Sequence, residues 1–447
     1  MDTRKIKHLA AAFVLTLFVT IIVLLATIDP GEKSPYEPDI TPGNNIHQVT
    51  PPNEDDPVID KNQNEDSEGN LPDKIIEKVT ATEELIPENL RAIADKYGVV
   101  GMSAIVIEDG QISHTYSYGV KNMESGDIFN SDSVLRVASV SGLVSSIGVM
   151  KLVDDGILEL DEPIGNYLGY TVANPHNGMS ISLRQILTHT AGISDYGTYD
   201  KVTNNLIEYQ TLKEMLSGTF ASSNFYDIKP GYRRSYSNFG GAIIAPIISA
   251  VTGKNFNEFM AEEVFRPLNI DASYLSTEIS EKKNIATIYR QQKVSYSTES
   301  MDEFSIKMQA VADVDNYRIS HANLYVNAKD LSRIARMIMN GGEVDGVRIL
   351  SQEAVNMMLS TEAVGSLYKD VGYGLYVSKY EDLVEGRTLY GQQGSAYGAT
   401  TEMFFDLEDK SGVVLLVNGS SVATLDNGIS VIGSAIINEI YSSIINK

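Results

Sequence analysis

No cysteine occurs among the 447 residues. Its absence excludes disulfides, thiol catalysis and cysteine-ligated metal sites, and fits an extracytoplasmic bacterial protein without requiring one. Positive charge is also scarce. Against 59 Asp and Glu there are 35 Lys and Arg, and the formal net charge of -24 argues against nucleic acid or anionic membrane surfaces as partners. No group of His, Asp and Glu has metal-ligand spacing, so neither a metal nor another cofactor is expected. No internal repeat is visible. The length accommodates one large domain or two ordinary ones.

Long apolar runs are rare too, with one exception near the start. Leu9 to Ile28 is apolar apart from Thr16, Thr20 and Thr27. Twenty helical residues span about 30 Å, the thickness of a bilayer's hydrocarbon core. Arg4, Lys5 and Lys7 precede the run, while Asp29, Glu32, Glu37 and Asp39 outnumber Lys33 after it. The positive-inside rule then leaves residues 1–8 in the cytoplasm, makes 9–28 a transmembrane anchor and puts the rest outside. The competing reading is a cleaved signal peptide, with Leu24 and Ala26 as the cleavage site; the length of the run favours the anchor. From 29 to 84 Pro, Asn, Asp and Glu dominate without apolar period, which predicts a disordered acidic linker. Its root-mean-square reach is about 40 Å.

Residues 85–447 read as one globular head. Met102–Ile107 and Ile112–Tyr118 are strand-like and meet at Asp109-Gly110, a hairpin signal. Strand patterns return at Thr401–Phe405 and Gly412–Val417, and a helical run covers Val431 to Ile445. The spacing predicts an α/β fold of the α+β type, with an antiparallel sheet built from both chain ends and a large, mostly helical insertion at about 140–330.

Four segments carry the chemistry. The first is Arg136-Val137-Ala138-Ser139-Val140-Ser141-Gly142, and the second runs from Met150 through Asp154-Asp155-Gly156 to Pro163. Leu183 to Ile193, containing Thr188-His189-Thr190, is the third; Pro230-Gly231 with Tyr236-Ser237-Asn238 is the fourth. In this order the set resembles the serine β-lactamase and penicillin-binding-protein superfamily, particularly its branch of class C β-lactamases, D-amino-acid peptidases and esterases. The resemblance covers the whole head. It implies Ser139 as nucleophile, Tyr236 as a proton shuttle and Asn238 as the group that orients a substrate amide. It also implies an oxyanion hole from the Ser139 amide and one late-strand amide. The late element aligns with Gln392-Gln393-Gly394-Ser395, which makes Gln392 and Gly394 substrate-binding residues and the Ser395 N–H the second oxyanion donor.

Two departures from the pattern stand out. The family's Ser-x-x-Lys lysine is replaced by Gly142, and the Lys or His of the late element by Gln392. Both remove a group that handles protons, and a neutral serine hydroxyl needs a neighbouring base. Lys151 lies nine residues beyond Gly142, about 13 Å along a helix, too far to substitute. Ser280-Glu281-Lys282-Lys283 repeats the literal motif but reads as charged surface. Arg233 and Arg234 precede Tyr236 and would lower its pKa if one points into the site. His189 reads as a structural, hydrogen-bonded histidine.

Three functional readings follow. The first is an impaired hydrolase or pseudoenzyme that binds peptide, D-amino-acid or cell-wall-like ligands. The second is an active serine hydrolase with Tyr236 as base; the third is a surface interaction module in which the cleft is irrelevant.

Overall fold

The computed structural model describes residues 86–361, 371–421 and 423–446. The expected anchor at 9–28 and linker at 29–84 lie outside them. Among the described residues no helix is long and apolar enough to cross a membrane.

Helix α1 (Glu88–Lys96) precedes strands β1 (Gly101–Glu108), β2 (Gln111–Asn122), β3 (Asp127–Ile128) and β4 (Val134–Arg136). The β1–β2 turn is Asp109-Gly110, both with positive φ (50° and 72°), as the two-residue hairpin requires. Helix α2 (Val140–Asp154) follows, then an insertion of short helices that includes α3 (Leu183–Leu187), α4 (Asn238–Ala242) and α5 (Ile244–Thr252). The short strand β5 (Tyr325–Asn327) pairs with β4 and leads into α6 (Ala328–Met339) and α7 (Gln352–Leu359). Strands β6 (Val371–Tyr373), β7 (Ser378–Tyr380), β8 (Leu389–Ala396), β9 (Ala399–Asp406) and β10 (Gly412–Val417) return to the sheet, and α8 (Val431–Ile440) ends the order.

The main sheet has eight strands in the order β6-β7-β8-β9-β10-β1-β2-β3, all antiparallel. The β10–β1 pair, Met102 opposite Val417 through Ile107 opposite Gly412, joins the two ends of the chain. The expected architecture is therefore present. Both faces are covered, so side chains alternate between two cores rather than between core and water. Met102, Ala104, Val106, Val413 and Leu415 pack in one core with Leu90 of α1 and Ile432, Ile436 and Ile440 of α8. Ile105, Ile107, Val414 and Leu416 face the other, with α2, α6 and the insertion. Helix α2 is buried on every side from Val140 to Met150, which explains why it is apolar all round instead of amphipathic. Its buried hydroxyls find partners: Ser141 Oγ accepts from Leu324 N–H at 2.9 Å, and Ser145 Oγ lies 2.8 Å from Tyr274 Oη.

One carboxyl group is shut inside the first core. Glu402 of β9 is fully buried, and its Oε1 accepts from the hydroxyl of Ser430, the N-cap of α8, at 2.6 Å. Burial pushes its pKa from 4.5 to about 8. The folded chain thus keeps a proton that the unfolded chain releases. The corresponding stability is complete below the unfolded value and is lost as pH rises towards about 8. Unfolding free energy from urea denaturation is expected to fall by a few kcal/mol from about pH 5 to about pH 8. Glu402→Gln, neutral at every pH, should flatten that decline; equal slopes in both proteins would contradict this account.

Candidate active site

Strand β4 and helix α2 bring Ser139 to the helix N-terminus. The preceding Ala138 has φ +46°, a left-handed conformation unusual for alanine, and Ser139 is the N-cap residue of α2. Local strain of this kind costs about 1–3 kcal/mol and persists only where the surroundings enforce it. Gly394 of β8 lies directly against this segment. A Cβ there would sit 3.0 Å from Ser139 N and 3.2 Å from the Ala138 side chain, and would overlap the Val137 carbonyl. A glycine at 394 is therefore required for β8 to lie directly against the Ser139 backbone. Beyond Gly391, which pairs with Ser378, β8 has no β7 partner; Gln392 to Ala396 pair only with β9 among the described residues. The open edge of β8 thus runs past Ser139.

Opposite Ser139 stands the loop before α4. The Tyr236 hydroxyl interacts with Ser139 and with Tyr376, a residue that no motif had marked. Interactions with both hydroxyls and with Arg234 favour the phenolate, but burial outweighs them and Tyr236 is raised above its ordinary value of 10.0. The neighbouring arginine acts in the expected direction, but it is not the largest influence on Tyr236. Arg234 does reach the site, with Cζ 5.7 Å from the Tyr236 ring centroid, and is overridden by desolvation.

His189 supports this loop. Its carbonyl accepts from Ser235 N–H at 2.8 Å and its Nδ1 from Ser237 N–H at 3.3 Å, while its ring packs 4.4 Å from that of Tyr236. Asp195 is a site residue that sequence reasoning missed. Its carboxylate accepts from Ser237 Oγ and from Asn238 N at 2.8 Å, and from Asn238 Nδ2 and Phe239 N at 2.9 Å. It closes the N-terminus of α4 and fixes the Asn238 amide, because Nδ2 must face the carboxylate. The Asn238 Oδ1 is left as a buried acceptor with no hydrogen-bond partner among the described residues.

Gly142 lies one turn into α2, where the family's lysine would begin. The end of the Tyr376 side chain occupies the space in front of it. A Cβ on Gly142 would overlap Cε1 and Cζ of Tyr376 and sit 2.5 Å from its hydroxyl. On the far side the same hydroxyl fills the space next to Gly241, so the ring end is held between two glycines. Tyr376 belongs to the β6–β7 turn and has φ +64°. The turn is pinned by hydrogen bonds from Tyr376 N to Leu187 O (2.9 Å) and from Leu375 N to Met358 O (2.9 Å). The His189 ring packs on Tyr376 at 4.7 Å. Burial pushes the Tyr376 phenol well above its ordinary value.

The remaining expectations divide. Gln392 is buried on β8 and accepts weakly from Ser378 Oγ at 3.4 Å, whereas Gln393 turns to the other face and binds Gly428 O. Ser395 lies opposite Thr400 on the open-edged stretch of β8. Lys151 is paired with Asp155, away from Ser139. Lys282 pairs with Asp302 as expected of a charged surface stretch. No group of acidic or histidine residues that could hold a metal is found among the described residues.

Sheet, insertion and nucleophile helix together define the β-lactamase and penicillin-binding-protein class of serine hydrolase folds. The sequence profile of the Beta-lactamase family matches residues 86–429, and this chain belongs to that family. It is 26% identical over 346 residues to "Penicillin-binding protein 4" of Amycolatopsis lactamdurans, covering 75% of this chain and 85% of that one. To the "D-alanyl-D-alanine-carboxypeptidase/endopeptidase AmpH" of Escherichia coli K12 it is 27% identical over 198 residues, covering 42% of this chain and 51% of the relative. Among solved structures, the octameric penicillin-binding protein homologue from Pyrococcus abyssi superposes with TM-score 0.62 at 21% identity, covering 83% of this chain and 78% of that one. The D-amino acid amidase from Ochrobactrum anthropi SV3 gives 0.61 at 19%, covering 83% and 99%.

The two glycines and the tyrosine form a single packing unit, so restoring the lysine alone should fail sterically. Gly142→Lys is expected to destabilise the head by about 1–3 kcal/mol through overpacking, several degrees of melting temperature. Adding Tyr376→Ala should recover most of that loss. Additive losses in the double variant would show that the two residues do not share the space.

Proposed function

We propose that this protein is a membrane-anchored, extracytoplasmic ligand-binding relative of the serine hydrolases whose acylation step is strongly impaired. The observation that carries the reading is the Tyr376 hydroxyl in the space of the missing lysine. An amine that could accept the Ser139 proton near neutral pH is replaced by a buried phenol that holds its own proton. Losing a general base costs about 10²–10⁴ in rate.

Three features of the cleft support a binding role. The open edge of β8 can take an extended peptide backbone, the N–H groups of Ser139 and Ser395 are the expected oxyanion donors, and Asn238 Oδ1 is an unfilled acceptor for a ligand amide. A D-amino-acid peptide or related cell-wall fragment is the ligand class we favour. The relatives named as a D-alanyl-D-alanine carboxypeptidase/endopeptidase and a D-amino acid amidase support that class. A second reading, a slow hydrolase using Tyr236 as base, draws on the contact between Tyr236 and Ser139.

Intact-mass spectrometry of the purified head after incubation with benzylpenicillin at neutral pH separates the two. The expected result is no stable adduct. A stoichiometric adduct that Ser139→Ala abolishes would overturn the impaired reading in favour of the second.

A further inference from the structure

Arg234 has an environment that structure alone does not justify. Its guanidinium lies 3.4 Å over the ring centroid of Tyr373 and 5.7 Å from that of Tyr236. The side chain is half-buried, and its Nε is shut off from solvent with no hydrogen-bond partner among the described residues. Among the described residues no carboxylate forms an ion pair with it; tyrosines surround it instead, and burial pushes its pKa down. Arg136, the other guanidinium buried near Ser139, differs. It too is stacked on tyrosines, Tyr296 and Tyr397, and its Nη1 is buried without a hydrogen-bond partner among the described residues, but its Nε donates to Asn323 Oδ1 at 2.8 Å.

An uncompensated guanidinium in such a place is a cost to stability. Stacking on Tyr373 uses the flat face of the group, and the two terminal N–H groups of a guanidinium match a carboxylate in two parallel hydrogen bonds. Arg234 is also one side chain removed from Ser139, through Tyr236. The late-strand position where the family carries a cation or titratable residue holds the neutral Gln392.

We infer that Arg234 is the anion-recognition residue of this cleft and takes the carboxylate of a bound peptide. The inference rests on the ligand-binding reading above and adds the charge of the ligand to it. Binding of acetyl-D-Ala-D-Ala as free acid and as C-terminal amide, measured by calorimetry on the wild-type head, Arg234→Gln and Arg234→Lys, tests it. Wild type should prefer the acid by on the order of 10–100-fold, the range of a charge-assisted hydrogen bond. Arg234→Gln should lose the preference, and Arg234→Lys should keep part of it. Because an unpaired charge is removed, Arg234→Gln should melt no lower than wild type.

A preference that survives in Arg234→Gln would overturn the assignment, as would a lowered melting temperature with the preference intact, which would make Arg234 structural. If wild type bound the acid and the amide equally, Arg234 would fail while the ligand-binding reading stood. If wild type bound neither, the ligand-binding reading would fall and this inference with it.

Discussion

The site is organised by steric exclusion at one place. The phenol of Tyr376 and a side chain at position 142 compete for the same volume, and Gly142 and Gly241 yield it to the tyrosine. Much of the surrounding structure serves to hold that ring. The turn before β7 is bonded to Leu187 and Met358, and His189 packs on the ring. A glycine in the first turns of a helix costs about 1 kcal/mol against alanine, and here the ring that fills the gap offsets that cost. Gly142 is thus the complement of Tyr376 and not merely a missing lysine.

Three titratable groups in this neighbourhood are shifted by the same cause. Desolvation raises the phenols of Tyr236 and Tyr376, and it pushes His321, which lies against Gly241, down to about 3. Each group is held in its neutral form around neutral pH. The Ser139 amide against Gly394, the open edge of β8 and the fixed Asn238 amide, by contrast, do not depend on titration.

Much of this was legible in the sequence. The Asp109-Gly110 hairpin and the strands at both chain ends gave away the sheet, because turn chemistry is local and the apolar runs are continuous where both faces are covered. Ser139, Gly142, Tyr236, Asn238, Gln392 and Gly394 were found because they sit in ordered motifs. Tyr376 and Asp195 were not. Tyr376 is one of 24 tyrosines, and its role arises from a turn that meets α2 only in three dimensions. Asp195 acts by closing a helix that starts more than forty residues later, and no spacing rule links the two. Gly142 followed by the Gly240-Gly241 pair was the only available hint, two small residues waiting for a large one. Arg234 was noticed as a neighbour of Tyr236 and its direction of effect was legible, whereas the larger opposing effect of burial cannot be read from adjacency.

The central claim is that no base able to act near neutral pH serves Ser139. The most direct test is the pH dependence of the Ser139-dependent hydrolysis of p-nitrophenyl acetate, with Ser139→Ala as the control, from about pH 6 to about pH 10. The account predicts a small rate that keeps rising to the top of that range, because the candidate bases beside Ser139 among the described residues are phenols raised above their ordinary value. A rate that levels off below about pH 8 would reveal a base of ordinary amine or imidazole character and would contradict it.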